Sequence, residues 1–374
     1  MLPFSKLSFW ERSIYTDGID FTIIGAGIVG MSTALQLRKA HPTAKIILLE
    51  RGYLPTGAST KNAGFTCFGS PTEIYDDLTH IDEKTVWETV EMRLNGLQEL
   101  FHLVDAELID YHPCGSWDLV QEKDKGLPAS FLDYLNEKIS AITGEKKVYQ
   151  LDSAKVKAAG FEGFQTAYYN RLEGAIHTGK LILQLHQSCV NQGIHTLFGI
   201  NVEQYESQTD SVQLQTNMGD LNTVNLLICT NAFAKDMLPD ISPARAQVLM
   251  TKPIPQLLID GTFHVESGYY YFRNVGQRLL LGGGRNLDFQ GETTIEFETS
   301  EVIQQRLLSL LQEQILPRTP FEIDYTWSGI MAVGSEKKPI IQKTNKNVAF
   351  GVRMGGMGVA IGASVGKELS KLFL

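Results

Sequence analysis

Phe21-Thr22-Ile23-Ile24-Gly25-Ala26-Gly27-Ile28-Val29-Gly30 is the stretch on which the fold turns. A short β-branched apolar run, beginning at Asp20, reads as a strand buried in a parallel sheet. Beyond the glycines a helical pattern runs through Met31, Ala34, Leu35 and Leu37 and stops near Ala40, because His41-Pro42 follows. Lys45-Ile46-Ile47-Leu48-Leu49-Glu50 is a second apolar strand, ending in an acid. The spacing therefore predicts a strand–helix–strand unit in which each glycine has a task. Gly25 permits the tight turn, Gly27 lets main chain approach a pyrophosphate, and Gly30 lets helix and strand close together. The helix start at Ile28 and Val29 offers unpaired N–H groups and a partial positive charge to phosphate. Glu50, about 20 residues further on, is placed to accept from ribose hydroxyls, with Arg51 beside it. The unit binds a dinucleotide; whether its second half is a flavin or a nicotinamide does not follow from it.

The 374 residues suggest two compact domains. With 43% hydrophobic and 20% charged residues the chain is globular, and no apolar run reaches the length of a spanning helix. A net charge of -9, without a basic tract, argues against a nucleic-acid partner. Cys67, Cys114, Cys189 and Cys229 are too far apart in sequence for a zinc or redox motif, so no metal is expected and the thiols read as reduced. The start of the chain lacks the apolar core of a secretory signal, which makes a cytoplasmic location the expectation.

Further along, helical periodicity marks Trp87 to Val104, Phe131 to Ile142 and Lys180 to Gln192. Strands are expected at Gly115 to Val120, Ile194 to Val202 and Val224 to Cys229. Tyr269-Tyr270-Tyr271-Phe272 and Arg278-Leu279-Leu280-Leu281, split by a turn at Gly276, predict an antiparallel sheet, with a helix from Ser300 to Leu316 after it. Asn347 to Phe350 reads as a last strand, and Gly355-Gly356-Met357-Gly358 opens a closing helix that reaches Phe373.

Gly57-Ala58-Ser59-Thr60-Lys61-Asn62-Ala63-Gly64 resembles the loop that runs from adenine towards flavin in the D-amino acid oxidase and glycine oxidase superfamily of FAD-dependent oxidoreductases. Similar pieces follow in that superfamily's order. Ser8-Phe9-Trp10-Glu11 is similar to the lead-in of its gamma-glutamylputrescine oxidoreductase-like branch. Leu226 to Ala232 resembles the strand end that passes the pyrophosphate, with Asn231 where glycine is commoner. Pro243 to Val248, Leu281 to Arg285, Trp327-Ser328-Gly329 and Glu336 to Ile340 resemble its substrate-side strands and return crossing. Arg353-Met354-Gly355-Gly356-Met357-Gly358-Val359 is similar to the run that lays bare backbone and a helix start against the flavin's pyrimidine edge. The resemblance implies an α/β fold: a Rossmann-type FAD-binding domain from residues 1–75, 165–240 and 332–374, and a substrate domain (α+β) from 76–164 and 241–331 built on an antiparallel sheet. Noncovalent FAD would be held by Gly25, Gly27, Ile28, Val29, Gly30, Glu50, Arg51, Ser59, Thr60, Asn62, Ala63, Gly64, Val202, Thr230, Asn231, Ala232, Arg353, Gly355, Gly356, Met357 and Gly358.

The implied reaction is oxidation of the carbon–nitrogen bond of a small amine or amino acid, hydride leaving for the flavin and the imine hydrolysing, with O2 or another carrier as final acceptor. Tyr269, Tyr271, Arg273, Trp327, Met331 and Arg353 are the substrate-pocket candidates. Met331 stands where relatives commonly carry a carboxylate-clamping arginine, so Arg353 or Arg273 would have to take the carboxylate, or the substrate lacks one. Leu280 replaces a lysine that activates oxygen in the sarcosine oxidase branch, which leaves a dehydrogenase open. His177 reads as structural, and Cys67 is the nearest thiol for a covalent flavin link, which is not expected. A flavin-binding subunit or sensor with little activity of its own is the rival reading, and an NAD-dependent dehydrogenase a third.

Overall fold

The computed structural model describes residues 2–374 and is built on two eight-stranded sheets. In the first, the strand Ile19–Ile24 lies between Ile46–Glu50 and Gly219–Ile228, all parallel, with Ile23 opposite both Leu48 and Leu227. His195–Phe198 extends one side of this sheet and Val348–Val352 the other, also in parallel. Such strands are covered on both faces, which is why they read as unbroken apolar runs: Ile23, Leu48, Leu227 and Phe350 are fully buried. The expected strand Ile194 to Val202 is broken in two, His195–Phe198 and Val202–Ser207, because Gly199 takes φ +73° and its N–H bonds to Gly52 O.

Three helices cross on one face of this sheet at very short range. Ile28–Ala40 and Glu83–Leu103 both pack on Gly358–Lys371. A Cβ on Gly96 would sit 2.0 Å from Ala360 O, one on Gly362 2.9 Å from the Ile28 side chain, and one on Gly366 2.8 Å from Thr33 N. Bare backbone at these positions is what lets the closing helix lie against the other two.

The second sheet runs Ile323–Val333, Ser242–Thr251, Arg278–Gly283, Tyr270–Val275, Thr262–Val265, Ser116–Gln121, Phe164–Asn170, Tyr149–Leu151. Its pairings are antiparallel except that between Thr262–Val265 and Ser116–Gln121. Alternation along Tyr270–Val275 sends Tyr270 and Phe272 into the core, where Phe272 stacks on Phe263 at 4.7 Å, and Tyr271 and Arg273 to the other face. The helix expected over Ser300 to Leu316 is α-helical only for Glu301–Leu310 and ends in a wider π-helical turn, Leu311–Ile315. The lead-in Phe9–Tyr15 is a helix, with the Ser8 side chain and Glu11 forming a reciprocal cap. Strand Phe164–Asn170 belongs to the second sheet, and helix Glu83–Leu103 packs on helix Gly358–Lys371.

Among the described residues no helix is long and apolar enough to cross a membrane.

Candidate active site

One cavity of about 960 Å³ runs between the two sheets. At one end lies the glycine turn. Gly25 has φ +100°, and a Cβ there would stand 2.8 Å from Cys229 O; on Gly27 it would meet Ser59 Oγ at 2.7 Å. The Ile28 N–H, first of its helix, donates to Ser59 Oγ at 3.1 Å, and Glu50 accepts from Ala26 N at 3.1 Å and Gly52 N at 3.0 Å. A helix start, a glycine cradle and an acid at the next strand end thus meet on one wall, which is the arrangement a dinucleotide pyrophosphate and ribose require. The residues fit the group that the family implies. We expect Glu50→Ala to weaken cofactor retention about tenfold or more, read as flavin absorbance per chain after dialysis, since hydrogen bonds to a charged group contribute about 1.5–3 kcal/mol.

Most residues singled out from the sequence share this cavity. Gly25, Gly27, Ile28, Val29, Glu50, Arg51, Ser59, Asn62, Ala63, Gly64, Val202, Thr230, Asn231, Gly355, Gly356, Met357 and Gly358 line it, as do Tyr269, Tyr271 and Met331. Asn231 adopts φ +50°, a conformation asparagine tolerates, and its Oδ1 accepts from Arg353 N at 3.2 Å and Met354 N at 3.3 Å. Its carboxamide braces the Gly355–Gly356 turn, a contact that glycine has no side chain to make.

Six expected residues do not reach the wall. Gly30 packs under the turn, where a Cβ would stand 1.9 Å from Gly25 O, and Ala232 is buried. Thr60 Oγ1 donates to Pro55 O at 2.8 Å, and Trp327 Nε1 to Lys61 O at 2.9 Å, so both brace the loop. The two arginines expected to hold a carboxylate are spent elsewhere. Arg273 donates to Gly64 O at 2.8 Å and Ile176 O at 3.0 Å. Arg353, buried with φ +67°, donates to Lys338 O at 3.0 Å and pairs with Asp240. Leu280 is buried in the second sheet, opposite Met250 and Arg273. His177 Nδ1 accepts from Lys180 N at 3.2 Å, capping helix Thr178–Asn191.

The cavity brings in side chains that sequence reasoning missed. Glu73 lies 3.3 Å from both Arg93 and Lys337, and Lys337 reaches Asp77 at 2.6 Å. Burial works against the Glu73 charge, yet Arg93 and Lys337 hold its carboxyl down at about 2. Asp77 is pushed up by burial and by the Glu73 charge. Burial lowers His264 to about 4 and raises Tyr271 to about 12, so near neutrality one is a neutral imidazole and the other a phenol. Arg285, just past the glycines that end strand Arg278–Gly283, also lines the cavity. Its guanidinium packs on Phe289 at 4.9 Å, its Nε is buried without a partner, and among the described residues no carboxylate pairs with it. The only signal for it in the sequence is its place after Gly282-Gly283-Gly284, which fixes a strand end but not a side-chain direction.

Fold and cavity together define a two-sheet α/β protein with the wall of a dinucleotide site. Residues 20–372 match the family model described as "FAD dependent oxidoreductase", and the chain belongs to this DAO family. It is an FAD-dependent oxidoreductase. It is 21% identical to the probable oxidoreductase OrdL of Haemophilus influenzae over 95% of this chain and 83% of that one. It is 22% identical to gamma-glutamylputrescine oxidoreductase of Escherichia coli, over 94% and 83%. Among solved structures, L-proline dehydrogenase of P. horikoshii superposes with a TM-score of 0.76 at 15% identity, covering 96% of this chain and 94% of that one. Glycine oxidase of Bacillus cereus does so with 0.75 at 16%, covering 95% and 94%.

Proposed function

We propose that the protein oxidises the carbon–nitrogen bond of a small amino acid, and that Arg285 is the group that takes the substrate's carboxylate. The observation that carries this reading is an arginine on the cavity wall with its buried Nε unpaired, while Arg273 and Arg353 are engaged by carbonyls and Asp240. Of the other cations on that wall, Arg51 lies over the Phe233 ring at 3.9 Å beside the dinucleotide end, Lys61 is drawn to the Phe297 ring at 5.3 Å, and Lys337 is balanced by Glu73 and Asp77. Arg285 is half-buried, its buried Nε is left without a partner at a cost, and a planar two-oxygen anion answers it.

Bound FAD supplies the two-electron acceptor. The chain's part is to bind, orient and exclude water. Gly25, Gly27 and the Ile28 N–H would face the pyrophosphate, Glu50 the ribose, and the Gly355 to Gly358 backbone with its helix start the far end of the flavin. Tyr271, kept a phenol by burial, offers a hydrogen bond, and Arg285 fixes the carboxylate so that the neutral amine's carbon is presented in one orientation. Attachment is noncovalent in this reading: burial raises the Cys67 thiol and pushes Cys229 up to about 12, so neither is a ready nucleophile. The cofactor half then includes helix Glu83–Leu103, and the substrate half keeps strand Phe164–Asn170. The four free thiols suit a cytoplasmic enzyme.

Anaerobic addition of amino acids and of amines without a carboxylate tests the reading: at least one small amino acid should bleach the flavin absorbance. A yellow protein bleached by nothing in either set would mean a flavin-binding subunit instead. Arg285→Gln should raise KM for that amino acid by about 10–100-fold, the 1.5–3 kcal/mol of a charge-assisted pair, with a smaller change in kcat. An unchanged KM would remove Arg285 from the site.

A further inference from the structure

Beside the cavity, three side chains from widely separated parts of the chain converge. Cys67 Sγ, a Glu173 carboxylate oxygen and a His264 ring nitrogen all lie within 4.8 Å of one another. Each has a rigid mount. Cys67 follows the loop that opens the cavity, Glu173 sits in the turn after strand Phe164–Asn170, and His264 is in strand Thr262–Val265, opposite Asp118 and Tyr271. Phe68 N at 2.8 Å and Gly69 N at 3.1 Å both donate to Glu173 Oε1 and fix that carboxylate. Its Oε2 is buried and has no partner, and neither has the buried Nε2 of His264. Two orphaned polar atoms in one cluster call for something between them. Among the described residues no lysine or arginine is paired with Glu173 or hydrogen-bonded to any of the three side chains.

We propose that Cys67, Glu173 and His264 bind a divalent cation of the zinc class, with a fourth position open towards the cavity. Binding releases the Cys67 thiol proton to solvent, and the resulting thiolate, carboxylate and neutral imidazole carry two negative charges, which a divalent ion cancels. The mixed sulfur, oxygen and nitrogen set suits a borderline ion such as zinc rather than calcium or magnesium, which prefer oxygen alone. Zinc distances of about 2.0–2.3 Å place tetrahedral ligands roughly 3.5 Å apart, so closing the site needs movements of about 1 Å shared among three side chains. Cys67 and His264 both line the cavity, which gives the ion an entry path and leaves room for a water or small ligand as fourth donor. Spacing rules cannot find such a site, because no two of its ligands are near one another in sequence. The ion would tie the segment after the flavin-side loop to the second sheet.

A water bridging Glu173 Oε2 and His264 Nε2 would satisfy the same two atoms, and the experiment separates the two. Full-length protein with its flavin, stripped with a chelator and dialysed, is titrated with Zn2+ against a chromophoric competitor. One equivalent per chain should bind. His264→Gln, Cys67→Ser and Glu173→Gln, the last keeping size and the Oε1 acceptor, should each weaken binding by about 100-fold or more. Cys114→Ser, which removes a thiol outside the cluster, should leave it unchanged. As a measurement that does not depend on the variants folding, X-ray absorption of the zinc-loaded wild-type protein is expected to show one sulfur neighbour at about 2.3 Å. Less than one equivalent in the wild type, a zinc without sulfur, or full binding in folded His264→Gln each overturns the proposal.

Discussion

Gly30→Val should give a protein that retains no flavin and melts far below the wild type. A Cβ at this position would lie 1.9 Å from Gly25 O, 3.1 Å from Gly25 C and 3.4 Å from Ile23 Cγ2. The obstacle is main chain, and it cannot swing aside as a side chain would. Gly25 itself is pinned, with φ +100° and Cys229 O at 2.8 Å from where its own Cβ would be. The only relief is for helix Ile28–Ala40 to lift away from the first strand, which moves the Ile28 N–H out of the phosphate position. Overpacking against a yielding core costs about 1–3 kcal/mol, and against backbone the cost should exceed that range, a large share of the roughly 5–15 kcal/mol that holds a domain folded. Flavin absorbance per chain and a thermal melt measure both effects. Gly57→Ala is the matched control: nothing lies within 4 Å of its Cβ position and its φ is -76°, so flavin content should be unchanged. A yellow Gly30→Val protein with an unaltered melt would refute the close helix–strand contact.

Arg245→Ala should destabilise the protein by about 3–5 kcal/mol, the loss typical when one partner of a buried ion pair is removed. Arg245 Nε and one terminal nitrogen reach the two Glu292 oxygens at 2.9 and 2.8 Å, and Gln247 Nε2 and Ser300 Oγ also donate to that carboxylate at 2.8 and 3.0 Å. Glu292 is fully buried, so the truncation strands its charge. Burial opposes that charge, but the Arg245 and Gln247 hydrogen bonds outweigh it and hold the carboxyl below its ordinary value. Its contribution is therefore complete above the unfolded value of about 4.3 and is lost as pH falls through the lower folded one. Urea unfolding at pH 7 reads the loss, and a change under about 1 kcal/mol would show that the pair does not hold this loop. The loop matters because the same few residues that run from Arg285 to Glu292 carry the guanidinium assigned to the substrate. Amino-acid affinity should fall with stability in Arg245→Ala, whereas replacing both partners by apolar residues of similar volume should recover much of the stability.

The first sheet was open to reading because parallel strands covered on both sides leave uninterrupted apolar runs, and because a phosphate cradle demands glycine at fixed offsets. The residues expected beside the flavin come instead from the resemblance of Gly57 to Gly64 and of Arg353 to Val359 to the oxidase superfamily, and main chain, visible as glycine, lines much of that end of the cavity. The substrate side is different. Arg273 and Tyr271 stand two apart on one strand and share a face, yet a carbonyl pair at Gly64 and Ile176 captures the arginine while the tyrosine stays on the cavity. No pattern in the chain announces which partner wins. The same holds for Cys67, Glu173 and His264, which meet only through tertiary folding, and for Gly199, whose positive φ breaks a strand that hydrophobicity alone would continue. The short helix Phe9–Tyr15 carries its cap in Ser8 and Glu11, but its exposed Phe9 and Trp10 give no helical periodicity to notice.

Strand Val348–Val352 slots in beside Gly219–Ile228, and helix Gly358–Lys371 then locks across two partners through Gly96, Gly362 and Gly366. Each of these contacts joins stretches far apart in sequence. The entropy of closing long loops therefore opposes them until both form together, and refolding of this half should be slow, with an unpaired strand edge exposed meanwhile.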